Sequence, residues 1–110
     1  MKCGDLFNSY SADQREKMAY RTWYPRTNLI KNHALPVIGD MELGNVSGSD
    51  IEEIYNAMRE KGRKQNTIYG MYAALRSFFT YAVEINAITE NPMDSVKPIV
   101  SVKSFSDLLR

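Results

Sequence analysis

The apolar positions of this chain recur at helical spacing, most clearly in its second half. Ile68, Met71, Tyr72, Leu75, Phe78, Phe79, Ala82 and Val83 fall at offsets 0, 3, 4, 7, 10, 11, 14 and 15. That wide stripe at the 3.6 period predicts a long helix, capped by Asn66 or Thr67 and running to about Glu84, at the centre of a bundle. A narrower stripe of Ile51, Ile54, Tyr55 and Met58 predicts the helix before it. Ser47 or Ser49 is expected to cap that helix, with Glu52 three residues after Ser49 as in a capping box. Arg59 and Lys61 suit its C-terminal end, and Gly62 stops it.

Upstream, Leu6, Phe7 and Tyr10 mark one side of a shorter helix over Asp5 to Lys17. Another is expected after Thr22 as N-cap, with Pro25 in its first turn. It carries Trp23, Ile30 and Ala34, with Leu29 and His33 beside them. Pro36 in "LPVIGD" is expected to end it, because proline lacks a donor and biases Leu35 away from helical angles. Val37 and Ile38 can still plug a core before Gly39 turns the chain. After a break in "INAITENP", the segment "NPMDSVK" is expected to form a short turn or helix. Beyond Pro98, "IVSVKSFSDLLR" presents no clear face and reads as a linker or a truncated start. The expectation is an all-α bundle of four to five helices, with residues 1–97 as the domain and 98–110 as the linker and the beginning of something else.

A chain of 110 residues is long enough for one core and not for two. Its longest apolar-rich segment, Met71 to Ile88, contains Arg76 and Glu84, so no membrane span is predicted. The first residues lack the apolar stretch of a signal peptide, and the lone Cys3 can form no intramolecular disulfide. A cytoplasmic setting is expected. One histidine and one cysteine assemble neither a zinc site nor a Cys–His nucleophile pair. Gly39, Gly44 and Gly48 match no phosphate-cradling motif, and the carboxylates cluster where a helix dipole explains them. No catalytic residue, metal or cofactor is nominated.

Net charge is only +1, but its distribution is uneven. Arg15, Lys17, Arg21, Arg26 and Lys31 stand against Glu16 alone, and Arg59, Lys61, Arg63, Lys64 and Arg76 against Glu60 alone. Between these zones, Ala34 to Met58 has no lysine or arginine but carries Asp40, Glu42, Asp50, Glu52 and Glu53. Such polarity is the footprint of a nucleic-acid face. Plain solvated helix faces would give the same counts.

The long helix narrows the choice. Tyr72, Phe78 and Phe79 belong to its core side, whereas Tyr69, Ala73, Arg76 and Thr80 form an opposite stripe with one charge. Gly70 costs about 1 kcal/mol relative to alanine inside a helix. It admits either another backbone or a neighbouring helix. Ahead of the stripe, Arg63, Lys64, Gln65, Asn66 and Thr67 join cations and amides to a helix N-terminus, whose N–H groups attract phosphate. With Tyr69 and Arg76, and with Arg21, Thr22 and Lys31 of the first basic zone, these are the candidate DNA-contacting residues.

From Thr22 to Pro92 the sequence resembles the core-binding, SAM-like N-terminal domain of tyrosine recombinases of the phage-integrase type. The resemblance is carried by Thr22, by "HALPVIGDMELGNVSGSDIEEIYNAM", and by "KGRKQNTIYGMYAALRSFFTYAVEINAITENP" with its closing Asn-Pro. The sequence departs from the family pattern at Tyr69 and Gly70. The resemblance implies a helical arm of a C-shaped clamp on double-stranded DNA. Its expected partners are the catalytic domain of the same parent chain and other recombinase protomers in a synaptic complex. The family's catalytic cluster and tyrosine nucleophile belong to a following domain, so none of the seven tyrosines here is nominated. A freestanding helical protein-interaction module is the alternative reading.

Overall fold

The computed structural model describes residues 1–99; most of the expected linker and truncated start, from residue 100 onward, lies outside them. The described chain is all-α. Helices α1 (Cys3–Lys17) and α2 (Tyr20–Leu29) lead into a π-helical turn (Ile30–Ala34) and a short α3 (Leu35–Ile38). A 3₁₀ turn at Leu43–Asn45 precedes α4 (Gly48–Glu60) and α5 (Gln65–Glu84), and a second at Pro92–Ser95 closes the fold. Among the described residues, the one strand-like feature is an isolated antiparallel bridge between Lys2 and Glu42.

Helix α5 is the strut. Its stripe buries Ile68, Met71, Leu75, Phe78, Phe79 and Ala82 as expected, with Ala74 added and Tyr72 and Val83 half-buried. Against it α4 buries Ile51, Ile54, Tyr55 and Met58. From α1, Tyr10 meets Phe78 edge-on at 5.4 Å, and its hydroxyl donates to Ser77 Oγ at 2.8 Å. The Tyr55 hydroxyl is buried with no partner among the described residues, and burial pushes its phenol well above the ordinary range.

Several local expectations are corrected. Helix α1 starts at Cys3 rather than Asp5, because the Cys3 and Gly4 amides donate to the Met41 and Gly39 carbonyls at 3.0 and 2.9 Å. Helix α2 starts at Tyr20 with Ala19 as its N-cap, leaving Thr22 in the first turn and Pro25 in the interior. That earlier start lets Tyr20 stack on Tyr24 one turn on, an i, i+4 contact unavailable to an unwound segment.

Pro36 does not stop the helix. Leu35 keeps helical angles (φ −60°, ψ −35°), and its amide donates to the Ile30 carbonyl five residues back. The π turn widens the spiral ahead of the proline ring, one of the recognised ways a helix accommodates such an interruption.

At α4, Ser47 is the cap and Asp50, not Glu52, supplies the reciprocal carboxylate, accepting from the Ser47 amide at 2.9 Å. Gly62 ends the helix at φ +77°, where a side chain would be strained. At α5 the N-cap is Lys64, so Asn66 and Thr67 fall inside the first turn instead of capping it. The expected last turn forms at Pro92–Ser95, with Asn91 Oδ1 accepting from the Met93 amide at 2.9 Å.

Candidate nucleic-acid interface

The hinge between α4 and α5 gathers most of the nominated residues. Arg63, Lys64, Gln65 and Asn66 are exposed there, with Thr67 half-buried and Tyr69 40% exposed one turn on. The first turn of α5 contains no acidic residue. Among the described residues, no carboxylate pairs with Arg63 or Lys64; the ion pairs present are Met1–Glu42 and Lys17–Asp13. A positive helix end and two cations therefore share one corner without an internal counter-ion.

The π turn belongs to this corner as well. His33 is held below its ordinary value by partial burial first, then by the charges of Arg63 and Lys61. Exposed Lys31 lies on the same turn, which packs on both α4 and α5. Lys61, assigned from the sequence to the dipole of α4, thus joins the group. Nothing in the sequence pattern signalled that these charges act on His33, because the influence links elements about thirty residues apart.

The remaining candidates stand apart. Arg76 is exposed about 16 Å further along α5, at 1.5 Å per residue, with its guanidinium 5.8 Å from the Tyr72 ring. Leu29 lies beside Gly70, and Arg26 and Ser77 both reach Tyr10, so α2 runs antiparallel to α5. Arg21 and Thr22 are exposed on the first turn of α2, at the opposite end from Arg63 and Lys64.

Gly70 is settled by the same packing. A Cβ there would sit 3.3 Å from Leu29 Cδ1, so the glycine clears room for α2. Tyr69, Arg76 and Thr80 remain exposed on the polar stripe, while Ala73 is half-buried. At the far end of α5 an open cleft of about 1030 Å³ is lined by Glu84, Glu90 and Asp94, together with Val46, Thr80 and Ile88. Its carboxylates repel phosphate, and it contains none of the nominated residues. Among the described residues, no three His, Cys, Asp or Glu side chains converge as metal ligands, and no helix is long and apolar enough to cross a membrane.

Residues 3–59 match the family described as phage integrase, N-terminal SAM-like domain. That match ends just before the Arg63/Lys64 hinge. The chain is 29% identical over 73 residues to a tyrosine recombinase XerC-like protein of Caldanaerobacter subterraneus subsp. tengcongensis. The similarity covers 66% of this chain and 18% of that protein, so the chain spans less than a fifth of the relative's length. The solution structure of an integrase-like domain from Bacillus cereus matches with a TM-score of 0.81 at 19% identity, covering 91% of this chain and 85% of that one. At such identity the likeness speaks for the fold alone.

Proposed function

The chain belongs to the phage-integrase N-terminal SAM-like domain family, and on that premise we propose that it is a core-binding domain that grips duplex DNA without catalysing a reaction itself. The observation that carries this reading is the α4–α5 hinge, where Arg63 and Lys64 precede a helix whose first turn has no acid. Phosphate oxygens meet the two cations and the positive end of α5. Gln65, Asn66, Thr67 and Tyr69 offer polar contacts that fix register, and Lys31 approaches from the π turn. Arg76 extends the contact along α5, and Arg21 and Thr22 extend it along α2. Cutting and rejoining through a covalent phosphotyrosine falls to another domain of the parent chain, and other protomers complete the assembly on DNA.

The test is an anisotropy titration of labelled duplex DNA at several salt concentrations. With about four to six phosphates neutralised, log K falls against log salt with a slope of about −4 to −5. Binding that ignores salt overturns the electrostatic grip.

A further inference from the structure

Beside Arg21 and Thr22, the start of α2 carries a cluster of aromatic rings that the DNA grip described above does not use. Tyr20 and Tyr24 are 54% and 47% exposed, and their rings stack with centroids 5.5 Å apart and planes 23° from parallel. Trp23 stands 5.6 Å from Tyr20, and its indole N–H donates to the Ser11 carbonyl at 2.9 Å, which ties it to α1. Arg15, from the last turn of α1, places its guanidinium 5.2 Å from the Tyr20 ring and 5.5 Å from the Trp23 ring. Two helices thus hold a set of rings in a fixed stack whose outer members face water.

We propose that this cluster is a stacking platform for unpaired nucleotides, separate in place from the duplex-gripping hinge; the proposal rests on the chain being a nucleic-acid-binding domain. The charge around the rings favours an anionic partner: Arg15 and exposed Arg21 flank them, and of the two acids on the adjoining turns of α1, Asp13 is paired with Lys17 at 3.1 Å, leaving Glu16. Two exposed rings are small beside the roughly 800 Å² per partner of a stable protein interface. Ring faces also discriminate between DNA forms. In a duplex the base faces are covered by their neighbours, so only an unstacked base can extend the Tyr20/Tyr24 pile. Stacking of this kind tolerates any base, and arginines supply the backbone contact. The Trp23–Ser11 and Arg15 contacts hold the rings in place before a base arrives, so little ordering remains to be done on binding.

The experiment titrates the 110-residue chain with a short oligothymidylate and, separately, with a blunt duplex. Trp23 is the only tryptophan, so its fluorescence reports the site directly. Oligothymidylate is expected to quench it saturably. Tyr20→Ala with Tyr24→Ala weakens single-strand binding about tenfold or more and leaves duplex affinity within about twofold. Tyr20→Phe with Tyr24→Phe keeps most of the single-strand affinity, because the ring and not the hydroxyl is the platform. A circular-dichroism melt checks that each variant folds. Absent quenching, an alanine variant that binds oligothymidylate as the parent does, or equal losses on both DNA forms overturns the platform; equal losses would mark an ordinary duplex contact. Binding of a protein through these rings with no single-strand binding overturns it too. Failure here leaves the Arg63/Lys64 hinge untouched, and failure of Arg63→Gln with Lys64→Gln to weaken duplex binding strikes the DNA grip alone.

Discussion

At the N-terminus of α4 the chain supplies its own anion: Asp50 accepts from the Ser47 amide at 2.9 Å and from the Ser47 hydroxyl at 3.0 Å. At the N-terminus of α5 it supplies cations instead, Arg63 and Lys64, ahead of a first turn with no acid. Both helices present the same positive end of a dipole. One is satisfied from within by a carboxylate; the other carries cations, and it is the end to which the proposed DNA grip assigns phosphate. The difference separates what a residue does for folding from what it does for function.

Both of these helix starts depend on α5 holding its place, so the largest effect belongs to its core. Leu75 is fully buried, and Leu75→Ala is expected to lower stability by roughly 2–5 kcal/mol in a urea melt. A loss under about 1 kcal/mol would remove α5 as the strut of the bundle. The two helix starts should then respond differently to loss of their own side chains. Asp50→Ala is expected to cost about 1 kcal/mol, as for lost caps generally, while Lys64→Gln stays within about 0.5 kcal/mol. Equal losses in the same melt would mean that Lys64 is structural and that the contrast is false.

The contrast was only half legible in the sequence. The stripes of α4 and α5 were readable because Ile51, Ile54, Tyr55 and Met58, and Ile68 to Ala82, keep a strict helical period, which burial of one face imposes. Local punctuation misled where a competing local arrangement was available. Thr22 reads as a cap, yet Tyr20 gains stacked rings by starting the helix sooner. Pro36 reads as a stop, yet a π turn carries the helix past it. Glu52 reads as the reciprocal acid, yet with Ser47 as cap the third position is Asp50. Of the candidate site, the run from Arg63 to Tyr69 is local and was visible as a string. The placement of Arg21 and Thr22 at the other end of α2, and the Arg15–Tyr20–Trp23 contact across two helices, depend on chain reversal and leave no mark in any short window.

A smaller effect reports the field of the hinge. His33 is the only histidine, and partial burial followed by Arg63 and Lys61 holds it low. Its imidazole resonances should therefore titrate below the ordinary value of about 6.5. Charging it opposes folding: the stability it contributes is present above about pH 6.5 and is lost as pH falls through the lower folded value. Duplex DNA, by bringing phosphate to the same corner, should move the titration upward, so binding takes up protons as pH falls. A free-protein value at or above 6.5 would detach the π turn from the hinge.

The most direct measurement compares two double variants in one duplex-DNA titration across salt. Arg63→Gln with Lys64→Gln is predicted to weaken binding on all sequences alike and to flatten the salt slope by about two, as for two lost phosphate contacts. Its melting temperature should stay near that of the parent. Glu52→Gln with Glu53→Gln, on the exposed acidic face of α4, is predicted to leave DNA affinity undiminished. If the arginine–lysine pair behaves like the glutamate pair, with the slope unchanged, the hinge is not where DNA is held and the account fails.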